Sequence, residues 1–269
     1  MAKQAGHIKY KGTIGDIRHF KIKGLNGHYA GLVGGPSKEQ VKTDPAFKRT
    51  RENMNEFGGC ANAAKSVRMG LSSLIKQMSD PQLAGRLTGI MKKINLEDMS
   101  EARGYRAILI TTQRQYLNGL QFNKNLNFDS ILGTPYSVTN SASRLKSTLT
   151  VDPFSPEVKM HAPAGATHFR LINVVSVISD FAFNANSGIY GPIEHQLNEL
   201  SNISYSDYYY SLGGEVDVPI VLESSLPTTT VLNENVSVIN SIGIEFTQKI
   251  GETHYRFNSG NAMKIHNVF

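Results

Sequence analysis

THFRLINVVSVISDFAF, residues 167–183, is the stretch on which the fold turns. It holds the chain's longest apolar run, and Asn173, Ser176, Ser179 and Asp180 interrupt it. A membrane span needs about 18 apolar residues without such breaks, so the run reads as a buried strand. Other strand-like runs surround it: RLKSTLTV (144–151), EVKMHA (157–162), YSDYYYSL (205–212), GEVDVPIVLE (214–223), NVSVINSIGIEFTQKI (235–250), THYRFN (253–258) and AMKIHNVF (262–269). Turn chemistry such as DPFSPE, APAGA and NSGN separates them. This spacing predicts an antiparallel β-sandwich, Ig-like or jelly-roll-like. Pro219 has no N–H to give a ladder and marks an edge or bulge. In YSDYYYSL, alternation puts Tyr208 and Tyr210 on one side and Tyr209 on the other. The chain ends in a strand-like run, so its C-terminus is expected to be paired.

Before about residue 120 the pattern differs. Residues 8–33 read as a β-hairpin: DIRHFKIK (16–23) goes out, Asn26-Gly27 turns, and HYAGLV returns. Asp44 is a good N-cap and Pro45 suits a first helical position. From there Phe47, Met54, Phe57, Ala61, Ala64, Leu71, Leu74 and Met78 fall on one helical face. Asp80-Pro81 repeats the start, and Leu83, Leu87, Ile90, Met91 and Ile94 make a second amphipathic helix. EDMSEARGYRAILITTQRQYLNGL (97–120) is ambiguous, with Gly104 and β-branched residues against a helical spacing that gives helix the edge. The expected class is α+β: an N-terminal β-hairpin plus two to three helices, followed by the sandwich.

Charge follows the same division. Residues 1–124 carry 21 Lys and Arg against 9 Asp and Glu, and residues 125–269 carry 7 against 13. We expect a basic hairpin-plus-helices module over 1–124 and an acidic all-β domain over 125–269. Such asymmetry speaks of partners, either an acidic molecule or the acidic half of another copy. The one cysteine excludes an internal disulfide. MAKQAGHIKYKG lacks the apolar core of a secretory signal. A cytoplasmic protein without a membrane span is expected, and non-classical export stays open.

KGTIGDIRHFKIKG, followed by GGPSKEQVKTDPAFKRTRENMNEFGGCANAAKSVR, resembles an uncharacterised bacterial family with the same glycine-punctuated hairpin and DPAF helix. The resemblance covers less than half of the chain and implies no catalytic residues. It implies a shared N-terminal assembly module joined to a variable β domain.

No catalytic, metal or cofactor pattern stands out. Cys60 lies several turns into a helix, where a thiol is usually a buried hydrophobe. His7, His19 and His28 could converge across the hairpin, but the eight histidines show no zinc-protease spacing. Glu52 and Glu56 sit among Lys48, Arg49 and Arg51 and read as a helical salt-bridge lattice. GLVGGPSK and GTIGDIRHF miss the phosphate-loop and dinucleotide patterns.

Two features do point outward. Gly58 and Gly59 cost about 1 kcal/mol each in a helix. With Phe47, Met54, Phe57, Cys60, Ala61 and Ala64 they read as a seam that admits another backbone. Lys9, Lys11, Arg18, Lys21, Lys23, Lys48, Arg49, Arg51 and Arg68 are the candidate contacts to an anionic partner, with Tyr10, Phe20 and Tyr29 interleaved as a single-stranded nucleic-acid platform requires. The leading expectation is a non-enzymatic structural subunit that self-assembles head to tail into a filament, tube, shell or virion-like component. A nucleic-acid-binding protein is the alternative, and a β-sandwich carbohydrate-binding module the second.

Overall fold

The computed structural model describes residues 1–269, the side chain of Ser72 excepted. The protein is α+β, with a sheet-rich C-terminal part. The chain divides into two compact units, Met1–Arg51 and Glu52–Phe269, whereas the change in sequence character falls near residue 124.

The first unit is a four-stranded antiparallel sheet. Its strands are β1 (Ala2–Lys3), β2 (Gly12–Ile14), β3 (Ile17–Phe20) and β4 (Tyr29–Leu32), in the order β1-β4-β3-β2. The hairpin of β3 and β4 is present, paired from Ile17↔Leu32 to Phe20↔Tyr29. Its turn is not the expected one. The tight turn is Gly15-Asp16, which joins β2 to β3 with Gly15 at φ +57°, while Asn26-Gly27 lies within the longer connection from residue 21 to 28. A short helix α1 (Lys38–Thr43) follows, with Ser37 and Gln40 forming a reciprocal capping box.

Asp44 accepts a bond from Ala46 N (2.8 Å) and starts a 3₁₀ turn, Pro45–Phe47. This leads into helix α2 (Lys48–Met69), then α3 (Ser72–Met78) and α4 (Leu83–Glu97). Leu83, Leu87, Met91 and Ile94 are buried, as their spacing requires. Residues 98–127 are not helical apart from one 3₁₀ turn, Arg114–Tyr116. Gly104 at φ +96° breaks any helix there, and Ile108 instead bridges to Phe181.

The remaining elements are α5 (Phe128–Ile131), β5 (Tyr136–Asn140), β6 (Lys146–Val151), α6 (Pro156–Lys159), β7 (His168–Ser179), β8 (Phe181–Asn184), β9 (Ile189–Pro192), β10 (Ser201–Tyr205), β11 (Tyr209–Tyr210), β12 (Ile220–Ser225), β13 (Val236–Ile250), β14 (Thr253–Arg256) and β15 (Ala262–Val268). Where EVKMHA suggested a strand, the chain makes the short helix α6, started by Pro156. Strands β7 and β13 pair along twelve residues, Val236↔Ser179 to Thr247↔His168. β10 and β11 share the outer edge of β7, and β15 and β14 share that of β13. A second sheet, β12-β6-β5, packs on one face of this central sheet. Leu149, Val151 and Leu222 meet Phe169, Leu171, Ile244 and Phe246 between the two. The other face carries the helices, with Val67, Leu71, Leu87 and Met91 against Ile172, Val174, Ile178 and Ile265. The helices therefore share a core with the strands, which is why α2 to α4 group with the second unit despite their composition. At about 1.5–3 kcal/mol for each large apolar side chain buried, this shared core outweighs any local preference.

Of the polar breaks in residues 167–183, Asn173, Ser179 and Asp180 have hydrogen-bond partners, and Ser176 is packed close against a glycine. Asn173 donates to Ser147 O and Leu222 O (both 2.9 Å) and accepts from Asn240 Nδ2 (2.7 Å), tying the two sheets together. Ser176 lies under Gly70, where a Cβ would fall 2.0 Å from its Oγ. Ser179 Oγ accepts from Glu194 N (2.9 Å). Asp180 receives Thr111 N (2.9 Å) and Thr111 Oγ1 (2.5 Å). Pairing of this kind offsets the cost of burying a polar group.

Candidate functional site

The N-terminal sheet is two-faced. Residues directly opposite one another in antiparallel strands share a face, as do residues two apart along a strand. By register, Ile14, Ile17, His19 and Leu32 lie on one side, and Lys3, Arg18, Phe20 and Tyr29 on the other. The first side is apolar and open: Ile14, Ile17 and Leu32 form a cross-strand row exposed by 57, 44 and 81%. On the second side the Phe20 and Tyr29 rings stack at 6.4 Å, and the Arg18 guanidinium sits 5.2 Å over Phe20. None of residues 1–51, all of them described, is buried. They carry 11 Lys and Arg against 3 Asp and Glu.

Of the nine candidate cationic contacts, only Arg68 lies outside this unit. Lys9 Nζ donates to Gln4 O (2.8 Å) and Gly6 O, which fixes the loop before β2. Arg51 donates to Val41 O (2.8 Å) and Asp44 O (2.9 Å), closing the end of α1. Lys11, Arg18, Lys21, Lys23, Lys48 and Arg49 are exposed. Arg68 is half-buried on α2.

The seam residues divide. Met54, Phe57 and Gly58 are exposed, and Phe47 and Ala61 are half-buried. Gly59, Cys60 and Ala64 are buried inside the chain. The close neighbour of Gly59 is Tyr190 of β9, whose Cγ lies 2.5 Å from where a Cβ would stand. That part of the small-residue patch thus serves the chain's own packing. Burial pushes the Cys60 thiol up to about 12, so it stays protonated.

Glu52 and Glu56 find partners across the fold. Glu52 meets Arg103 (3.6 Å). Glu56 pairs with Lys92 and accepts from Gly104 N (2.7 Å). Burial would raise the Glu56 carboxyl, but Lys92, the Gly104 N–H and Arg106 together hold it below the usual range.

The tyrosine run forms a column no motif announced. His254 stacks on Tyr208 (3.8 Å), Arg170 lies 5.0 Å over Tyr208 and 4.1 Å over Tyr205, and His168 meets Tyr210 (4.5 Å) and His254 (4.8 Å). Buried Glu245 receives Arg170 Nε (2.8 Å) and pairs with Arg256 (2.5 Å). Tyr209 turns the other way, onto Phe169. Burial, then His254 and Lys249, lower the His168 pKa; burial and Lys264 lower that of His266 against the opposing pull of Asp129. Both imidazoles thus bind protons less readily in the fold than in the unfolded chain. Stability should be complete above about pH 6.5, the unfolded value, and fall as the pH drops below it. The urea midpoint is expected to be lower at pH 5.5 than at pH 7.5, and His168→Gln should flatten that difference. An identical pH slope in the variant would remove His168 from the account.

Among the described residues no three His, Cys, Asp or Glu side chains are placed to hold a metal. A hollow of about 370 Å³ between α2 and the β8–β9 hairpin is lined by Lys65, Ser66, His195, Asn198 and Glu199. Its serine proton goes to Glu199 Oε1 (2.6 Å), not to the imidazole. Among the described residues no helix is long and apolar enough to cross a membrane.

No family model, curated protein or solved structure matches the chain. The resemblance of its N-terminal part to an uncharacterised bacterial family gains no support from these comparisons.

Proposed function

We propose that the protein is a non-enzymatic structural subunit that assembles with other copies of itself through residues 1–51. One observation carries the reading. A four-stranded sheet of very short strands gains stability by burying a face, and here an apolar row stands open while no residue of the unit is buried. Exposed apolar rows of this kind mark contact surfaces. The strong positive excess favours an acidic counterpart and keeps the unit from closing on itself. The single, buried cysteine suits a reducing compartment such as the cytoplasm.

Sedimentation of the full chain tests the proposal. The wild type should run well above 29.6 kDa, and Ile17→Asp with Leu32→Asp should shift it towards that mass. A lone wild-type particle of that mass at high concentration and low ionic strength would overturn the reading.

The basic and aromatic face of Lys3, Arg18, Phe20 and Tyr29 favours a second reading, single-stranded nucleic-acid binding. Phosphate contacts release counterions, so affinity would fall linearly in log–log form with salt. Assembly through an apolar row would show a much shallower dependence.

A further inference from the structure

We infer that the surface receiving the N-terminal sheet of a neighbouring copy is the rim formed by residues 152–159 and 207–219; this rests on the assembly reading above. The two segments are fastened together. Phe154 and Val216 exchange backbone bonds (3.1 and 3.0 Å) and Gly213 N donates to Glu157 Oε1 (2.6 Å), while Ser211 N anchors the second segment to Thr167 O (3.0 Å) just before β7. The rim is therefore built before any partner arrives, which lowers the ordering cost of binding.

Its chemistry is the complement of the N-terminal sheet. Val158, Tyr210, Leu212 and Val218 are exposed by 62 to 74%. Among them lie Glu157, Asp207, Glu215 and Asp217, all exposed. Together the two segments hold five carboxylates against one lysine. The N-terminal sheet offers the inverse: the apolar row at the Gly15-Asp16 end of β2 and β3, and exposed Lys11, Lys21 and Lys23 just past the opposite end of the same strands. Apolar centres ringed by opposite charges are the usual anatomy of a specific interface. A contact of one patch on a different patch is heterologous, so it propagates to a ring or a filament rather than closing a dimer.

Charge exchange in the full chain tests the assignment. Glu215→Lys with Asp217→Lys makes the rim basic, and Lys21→Glu with Lys23→Glu makes the sheet acidic; all four sites are exposed, and circular dichroism checks that each variant folds. Each variant alone should need at least about tenfold more protein to assemble than the wild type, since facing like charges oppose the contact. An equimolar mixture should assemble again, because each basic surface then finds an acidic one. If the rim variant assembles as the wild type does, or the mixture fails to recover, the rim is overturned while assembly itself stands. A monomeric wild type overturns both.

Discussion

Glu56→Ala is expected to lower the unfolding free energy by about 3–5 kcal/mol, the cost of breaking a buried ion pair from one side. Glu56 is 1% exposed on α2. Its two oxygens serve two elements: Lys92 of α4, and the backbone N–H of Gly104 in the irregular segment after α4. Lys92 also donates to Asn95 Oδ1 (2.7 Å), and Asn95 donates to Arg106 O (2.6 Å). Asp98 accepts from Ala107 N (2.7 Å). Residues 104–107 thus hang from side chains of α2 and α4. Truncation leaves the Gly104 N–H without its acceptor and takes the counter-charge from the Lys92 ammonium, which keeps only Asn95 Oδ1. Glu56→Gln keeps an acceptor for Gly104 and should cost clearly less. Replacing both partners, as Glu56→Leu with Lys92→Met, should cost less than Glu56→Ala, since no charge is then left alone. Urea unfolding reads all three. A loss below about 1 kcal/mol for Glu56→Ala, the level of a surface pair, would show that the network holds nothing in place.

That network also explains which parts of the fold were legible. β7 and β13 announced themselves because strands buried on both faces must be apolar nearly throughout, and their polar members are spent on specific ties such as Asn173 to Asn240. The α4 helix was equally open to reading, since Leu83, Leu87, Met91 and Ile94 repeat at helical spacing. Residues 98–127 were not. Their shape is held by Glu56, Asn95 and Asp180, groups that lie elsewhere in the chain, together with Asp98 at their own start, and no local periodicity records such bonds. The hairpin turn misled for a related reason. Asn-Gly is only a preference, and Gly15-Asp16 satisfies the positive φ that the β2–β3 turn demands. The charge and composition boundary near residue 124 tracks surface residues, whereas compact units follow the apolar face of α2 to α4, which is buried on the central sheet. Of the outward-facing features, the basic excess was visible in composition. The open row of Ile14, Ile17 and Leu32 needed the strand register, because only pairing places residues from three strands side by side.

Gly59→Val is expected to destabilise the fold by about 3 kcal/mol, at the upper end of overpacking costs, and to leave the mode of assembly unchanged. A Cβ at this position would stand 2.5 to 2.9 Å from three ring atoms of Tyr190. The ring has little room to retreat. Its hydroxyl donates to Arg106 O (2.9 Å) and it meets Phe183 edge-on (5.6 Å). The helix gains from losing a glycine, but only about 1 kcal/mol even for alanine, and β-branched valine gains less. Tyr190→Ala alone should cost about 3–5 kcal/mol, as for other large buried aromatics. The decisive quantity is the coupling. In the double variant the valine methyls enter the space the ring has left, so the two losses should fall short of additive by at least about 1 kcal/mol. Strict additivity would mean that Gly59 and Tyr190 are not in contact. If Gly59→Val instead kept its stability and altered the oligomer, the small-residue patch on α2 would face another copy after all. The two outcomes separate packing within the chain from packing between chains at the one helix where composition alone suggested both.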